Sequence, residues 1–365
     1  MKFAIVTRNI APIRCGIGDY TVNFSKALRA KRVNVEILAG RGSSSEHVRI
    51  ICDRWDAKGL ASLLDQLGGS AIDHVIMQFT PLLFNDGRLL NEALPKFWER
   101  CSKQWKTSLV VHETYFRTWW YPTTWIRGAR ERALLRKMVG ASHFVFTASQ
   151  PLLEEMWDWG SQSRMAQLPI GSNFRQVELN RSEGRAKLSI APCEIVLVLF
   201  GGGNSLKWMR KHVQSTDALL HAKGVKASWL FLGGIPDSWF ILKLPVNSPG
   251  ILSEQNISIR LQTSDIFLIP HYAGLCAKRG TLMAAMQHGL PVVGTETRMA
   301  DLVLKEVSGI TLLPRGDAKS FADSVLELAR DDQKRLVMGR ANQEFFDRFC
   351  TWPIIADRFL NKVMQ

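Results

Sequence analysis

Strand-sized apolar runs alternate with helix-length amphipathic segments along most of the chain, a pattern that predicts mostly parallel sheets covered by helices on both faces. The first run, KFAIVTR, leads into the loop NIAPIRCGIG and an amphipathic helix bearing Tyr20, Val22, Phe24, Ala27 and Leu28. Further strands are predicted at VNVEILAG, DHVIMQF, TSLVVHE, SHFVFTAS and MAQLPIGS, with helix-length segments at 88–104, 124–139 and 150–159. The alternation lapses over FRQVELNRSEGRAKLSIAPC, residues 174–193, which is polar and aperiodic and is the candidate connection between two domains. It then restarts with strands at EIVLVLFGGG, ASWLFLGG, DIFLIPH, LPVVGT and GITLLP and helices at 207–222, 253–263, 281–288 and 317–330. The expected fold is α/β, with two Rossmann-like doubly wound parallel-sheet domains facing across a cleft. Their expected bounds are 1–175 and 190–350. The terminal segment TWPIIADRFLNKVMQ is an amphipathic helix that periodicity assigns to neither domain.

At 365 residues, 46% hydrophobic and 22% charged, the chain has the makeup of a soluble globular protein with two cores, which excludes a disordered or fibrous class. No apolar run is long enough to span a membrane. The cysteines at 15, 52, 101, 193, 276 and 350 show neither CxxC nor His-Cys metal spacing, and no signal peptide precedes the first strand. They are expected to be free thiols in a reducing compartment, so a cytoplasmic location without a metal site is expected. The 47 Lys and Arg outnumber the 33 Asp and Glu and give a net charge of +14. The expected partner is an anion: nucleic acid, an anionic membrane surface or a phosphorylated small molecule.

Ligands of open parallel sheets gather beyond the carboxyl ends of the strands, which directs attention to the loops there. In IRCGIGDYT, Gly16 and Gly18 allow close backbone approach to a ligand and the following helix offers amides to an anion; a tight turn is the alternative. In LVVHETYF, His112 ends a strand beside Glu113, placed either to hydrogen-bond a substrate hydroxyl, to move a proton, or to serve packing alone. In LFGGGNSLKWMRKHV, Gly202 and Gly203 follow a strand and Lys207, Arg210 and Lys211 fall at the start of a helix, which makes these five candidate phosphate-binding residues. The spacing is not that of a P-loop, and a solvated charged face is the alternative.

In CAKRGTLMAAMQHGLPVVGT, Lys278 and Arg279 stand directly before a helix that opens with Gly280, Thr281 and Leu282, and all five are candidate phosphate-binding residues. Two cations at the positive end of a helix dipole repel one another and the dipole unless an anion occupies the site, and a diphosphate reconciles all of these charges. Finally, Trp119, Trp120, Tyr121 and Trp125 are interleaved with Arg127, Arg130, Arg132, Arg136 and Lys137. That mixture suits an anionic membrane interface or stacking on sugar rings or bases, with packing under a loop as the plain alternative.

Over nearly its whole length the chain resembles the retaining glycosyltransferases of the two-Rossmann-domain GT-B type, glycosyltransferase family 4. The most specific blocks are GILSEQNISIRLQTSDIFLIPH, TLMAAMQHGLPVVGT and GITLLPRGDAKSFADSVLELA, similar to the family's donor-binding half. CGIGDYT is similar to its N-terminal glycine loop and LPIGSNF to the end of its first domain. The resemblance implies a nucleotide-diphosphate sugar bound in the second domain, an acceptor in the first, hexosyl-type transfer with retention, and no required metal or cofactor. It implies that Gly16 lies near the donor diphosphate and His112 near the transferred sugar, and that the family's phosphate-binding Arg and Lys correspond to residues among Lys207, Arg210 and Lys211. Thr351 and Trp352 resemble the family's TW pair before a terminal helix that crosses back onto the first domain, so 352–365 is expected there. The chain departs from the family at two glutamates eight residues apart that contact the donor's sugar and ribose: Cys276 and Ala284 occupy those positions.

The resulting expectation is a sugar-nucleotide glycosyltransferase acting on a glycan or lipid-linked acceptor in polysaccharide or glycolipid synthesis, cytoplasmic and peripheral on the inner face of the cell membrane. Lys278, Arg279 and His112 are its expected catalytic residues. A GT-B-fold module that binds a sugar nucleotide or a membrane without catalysis is the alternative. An NAD-dependent oxidoreductase is disfavoured, because the first loop lacks the full glycine fingerprint and the second strand ends in ILAGRG without an acid for the ribose. No nucleic-acid module is recognisable.

Overall fold

A computed structural model of the 365-residue chain describes residues 1–51, 54–81, 83–86, 89–115, 122–201, 209–234 and 241–365. Two compact units emerge: Met1–Ile170 together with Trp352–Gln365, and Gly171–Thr351.

The first unit is built on β1 (Lys2–Asn9), β2 (Asn34–Arg41), β3 (Val48–Ile50), β4 (His74–Phe79), β7 (Lys106–Val111), β8 (Phe144–Thr147) and β9 (Met165–Gln167), in the order β3-β2-β1-β4-β7-β8-β9. All of these ladders are parallel. A short antiparallel ribbon of β5 (Asn85–Asp86) and β6 (Leu89–Leu90) stands apart. The strands are near-continuous apolar runs because helices cover both faces of the sheet, and β4 is buried along its whole length. The C-terminal helix Trp352–Val363 belongs to this unit and sends Phe359 against Phe3, Phe24 and Phe146.

The second unit carries β10 (Ile195–Phe200), β11 (Ala227–Leu232), β12 (Val246–Asn247), β13 (Ile266–Ile269), β14 (Val292–Glu296) and β15 (Ile310–Pro314), in the order β12-β11-β10-β13-β14-β15 and again parallel throughout. Strand order reverses between β10 and β13 here, and between β1 and β4 in the first unit. The loops leaving those strands therefore flank the crevices where doubly wound sheets take ligands.

Stretch 174–193 is no linker. It lies in the second unit and contains the helix Arg181–Lys187, whose Arg181 and Arg185 reach the buried Asp265 at 2.7 and 3.2 Å. A seven-residue polar helix shows no apolar stripe, so periodicity misses it; a long-range ion pair holds it. The helices Ala57–Gly68 and Asp332–Phe349 were also not anticipated, and the segment expected as helix from residue 88 begins instead at Ala93.

Burial gives the first unit an acid-sensitive group. His74 is 2% exposed, packs on Phe3 and Phe144, and places Nε2 2.8 Å from the Ser108 hydroxyl. Burial, with smaller contributions from His143 and Lys106, pushes its pKa from 6.5 down to about 3. As pH falls below 6.5 the unfolded chain takes up this proton before the folded one, so stability is lost progressively towards pH 3. Denaturant titrations between pH 7 and 5 are expected to show a slope of up to about 1.4 kcal/mol per pH unit from this group. His74→Asn is expected to remove that share, and an unchanged slope would assign the acid sensitivity elsewhere.

Candidate functional site

The loop leaving β13 is stitched to the neighbouring strand end. The His271 carbonyl accepts the Thr295 hydroxyl at 2.6 Å and the Gly274 N–H at 2.9 Å. The Ala273 carbonyl accepts the Thr297 hydroxyl at 2.6 Å, and the Leu275 N–H donates to the Thr295 carbonyl at 2.8 Å. Gly274 has φ +80, and a Cβ there would stand 2.7 Å from the Thr297 hydroxyl, so only glycine fits this turn. Further on, the Ala277 N–H donates to the buried Asp301 carboxylate at 2.6 Å.

The helix Gly280–Gln287 then begins. Asp56, Ser253, Asp317 and Asp331 cap their helices through the side chain, but Arg279, at the N-cap here, makes no side-chain capping bond. The amides of a first turn have no intrahelical acceptor and concentrate the positive end of the dipole. A Cβ at Gly280 would meet nothing nearer than the Asn173 amide nitrogen at 4.0 Å, so there is space beside those amides. Asn173 comes from the LPIGSNF segment, which the fold brings to this helix start.

The Arg279 Nη2 lies 2.7 Å from His271 Nδ1, which also accepts the Ala273 N–H at 3.1 Å. A guanidinium can only donate, so Nδ1 is the acceptor and the neutral ring carries its proton on Nε2. Burial, followed by the charges of Arg279 and Lys278, pushes the His271 pKa down to about 3. The Arg279 Nε is buried without a partner, and Arg279 forms no ion pair among the described residues. Thr281 is half-buried, whereas Leu282 is fully buried in the core and its N–H already donates to the Arg279 carbonyl at 3.0 Å. Cys276 is 5% exposed with its thiol pKa raised by burial, and Ala284 is 0% exposed. Neither position carries a carboxylate.

Across the switch point, Arg210 and Lys211 begin the helix Arg210–Ala222 and are both exposed, with Arg210 Nε 3.3 Å from Gln214 Oε1. Gly202, Gly203 and Lys207 lie outside the described residues. Among the described residues no group of three or more His, Cys, Asp or Glu is placed to hold a metal ion.

In the first unit, Gly16 opens the helix Gly16–Ala30 after Cys15, which again makes no side-chain cap. The two loop glycines differ in cause. A Cβ at Gly18 would stand 2.5 Å from the Asn9 carbonyl, so packing of the helix on β1 requires glycine there. A Cβ at Gly16 would meet no atom within 4 Å, so packing does not account for it.

His112 follows β7, with its N–H bonded to the Phe79 carbonyl at 2.9 Å and its Nε2 2.7 Å from the Oε1 of the fully buried Gln78. With an amide oxygen as partner, Nε2 carries the proton. The Tyr20 ring stands edge-on to the imidazole at 5.1 Å and to Trp352 at 5.2 Å, so the terminal helix helps to fix the histidine. Trp125 is 57% exposed, whereas Arg127 Nε lies 2.8 Å from the buried Glu131 and serves the helix Pro122–Ala141 itself. Trp119, Trp120 and Tyr121 lie outside the described residues.

The sequence reading passed over His271 and Gln78. A usable signal existed for the first: DIFLIPH places a histidine directly after a buried strand, the criterion that singled out His112. For Gln78, in the middle of an apolar run, only the structure shows that its side chain meets the histidine of the next strand.

Residues 189–331 match the family model of glycosyl transferases group 1. No curated protein matches the chain by sequence. Among solved structures, sucrose-phosphate synthase from Thermosynechococcus elongatus is similar with a TM-score of 0.73 and 13% identity over 100% of this chain and 98% of that one. Anabaena HepE, solved in complex with UDP and glucose, gives a TM-score of 0.73 at 13% identity, covering 100% and 99% of the two chains. WaaG, a glycosyltransferase involved in lipopolysaccharide biosynthesis, gives 0.71 at 12% identity, covering 98% and 99%. Likeness at this identity is likeness of fold, and the fold is the GT-B type.

Proposed function

We propose that the protein is a glycosyltransferase that moves a sugar from a nucleotide-diphosphate donor to a glycan or lipid-linked acceptor, with retention and without a metal. The observation that carries this reading is the start of Gly280–Gln287: an uncapped helix, two adjoining cations and open space, at the switch point of a unit that matches glycosyl transferases group 1. The complexes of HepE with UDP and with UDP-glucose support a nucleotide sugar as donor.

In the transfer, the bond from the anomeric carbon to the diphosphate oxygen breaks and a bond to the acceptor hydroxyl oxygen forms. The acceptor's proton leaves with the diphosphate or to solvent. Negative charge grows on the leaving diphosphate while the sugar becomes cationic, so fixed cations and helix amides around the phosphates are worth more in the transition state than in the bound donor. Lys278 and Arg279 fill that role, with Arg210 and Lys211 as further cations at the same edge. By the family resemblance the reading also assigns Gly16 to the donor diphosphate and gives His112 a contact to the transferred sugar.

The exposed pair Trp125 and Ile126, 57% and 60% accessible, shares its helix with the exposed Arg132, Arg136 and Lys137. This supports peripheral contact with an anionic membrane, where a lipid-linked acceptor would reside. Among the described residues no helix is long and apolar enough to cross one.

Cys276 and Ala284 keep a second reading open, a module that binds sugar nucleotides without transferring them. A thermal-shift panel of UDP, GDP and ADP sugars, followed by assay of nucleoside-diphosphate release with glycan and lipid-linked acceptors, separates the two. Stabilisation with release is expected. Stabilisation without release from any donor establishes the non-catalytic module, and no stabilisation by any nucleotide overturns both readings.

A further inference from the structure

We propose that His271 is the positioning residue for Arg279: its Nδ1 takes one N–H of the guanidinium and thereby aims the others at the diphosphate of the donor. The inference rests on the proposed function and adds a residue that the reading had not used.

Three features of the geometry support it. An arginine is a long, flexible side chain, and a fixed partner for one of its N–H groups reduces the freedom it must give up when a ligand binds. His271 is such a partner, because its own carbonyl is held by Thr295 and Gly274 and its Nδ1 by the Ala273 N–H, at 2.6, 2.9 and 3.1 Å. The contact to Arg279 Nη2, at 2.7 Å, is the one side-chain hydrogen bond of that guanidinium to protein among the described residues, which leaves its further N–H groups for a ligand.

The residue type matters as well. An aspartate or glutamate at 271 would also orient the guanidinium, but it would neutralise it and compete with the phosphates. A neutral imidazole orients without cancelling charge. The buried setting and the two adjacent cations keep the ring neutral, which preserves the lone pair on Nδ1. Supporting residues of this kind decide whether a binding group is held in its productive direction.

The test measures binding of UDP and of inorganic pyrophosphate by isothermal titration to the full chain and to His271→Phe, His271→Asn, His271→Asp, Arg279→Gln and the double variant His271→Phe/Arg279→Gln. His271→Phe is expected to weaken both probes about tenfold, equivalent to about 1.4 kcal/mol. Arg279→Gln is expected to weaken them about a hundredfold, and the double variant no further than Arg279→Gln alone, since the histidine acts through the arginine. His271→Asn returns an acceptor and is expected to bind within about threefold of the parent, whereas His271→Asp is expected to bind less tightly than Asn although it too accepts. A merely structural role for the ring would leave its loss undiminished in the Arg279→Gln background. Where His271→Phe fails to fold, the Asn and Asp pair carries the test, and equal affinities for these two overturn the inference. His271→Phe binding as tightly as the parent while Arg279→Gln does not overturns the inference alone. Parent protein that binds neither probe overturns the proposed function, and the inference with it.

Discussion

Alanine at both Lys278 and Arg279 is expected to lower turnover of the nucleotide-sugar donor by about 10³-fold while leaving the thermal midpoint unchanged or higher. Each removed donor to developing charge costs on the order of 10²-fold or more in comparable sites, and the two losses overlap because both cations serve one diphosphate. Stability moves the other way for an electrostatic reason. The pair stands at the positive end of Gly280–Gln287, where removing cations relieves about 0.3–1 kcal/mol of unfavourable interaction with the dipole. A packing role for these side chains predicts the opposite, a lower midpoint with turnover reduced only in proportion to the folded fraction. Donor turnover within about threefold of the parent at saturating donor would remove the pair from the mechanism.

The glycine loop after β1 gives a similar contrast between what the chain spells out and what only the fold decides. Gly16 and Gly18 look equivalent in CGIGDYT, yet one is required by the Asn9 carbonyl 2.5 Å from its would-be Cβ and the other faces open space. Two glycines two residues apart on one helix turn point in different directions, and no local pattern records what each meets. The parallel sheets themselves were legible, because strands buried on both faces become apolar runs and crossover helices become amphipathic ones. For the same reason the strand ends, and so His112 and the Lys278-Arg279 pair, were locatable by counting from the runs.

What escaped depends on partners far along the chain. Arg181 and Arg185 look like loop cations until Asp265, some eighty residues on, is placed beside them. His271 looks like a strand terminus until the turn at Gly274 folds Arg279 back onto it. Leu282 was grouped with the phosphate ligands because it adjoins the basic pair, but helix geometry turns its side chain into the core.

Asp265→Ala is expected to destabilise the second unit by about 3–5 kcal/mol, because it strands buried charge. Arg185 is 7% exposed, and the Asp265 carboxylate receives its Nη1 at 3.2 Å, the Arg181 Nη2 at 2.7 Å and the Val196 N–H at 2.8 Å. Removing the acid leaves a guanidinium without its counter-ion in the interior and a backbone N–H of β10 unpaired. For a unit of this size the thermal midpoint should fall by about 10 °C. Adding Arg185→Met to Asp265→Ala is expected to recover part of the loss, since an apolar side chain of similar reach has no charge to compensate; a double variant less stable than Asp265→Ala would contradict the account. Asp265 stands one residue before β13 and His271 two residues after it, so the same strand links this anchor to the proposed phosphate site. The far end of that strand has its own fastenings at Thr295 and Thr297, and pyrophosphate affinity of the folded Asp265→Ala protein at 25 °C is therefore expected to match the parent's. A fall in affinity without unfolding would instead mean that the loop bearing His271 and Arg279 depends on strain-free anchoring of β13 from its opposite end.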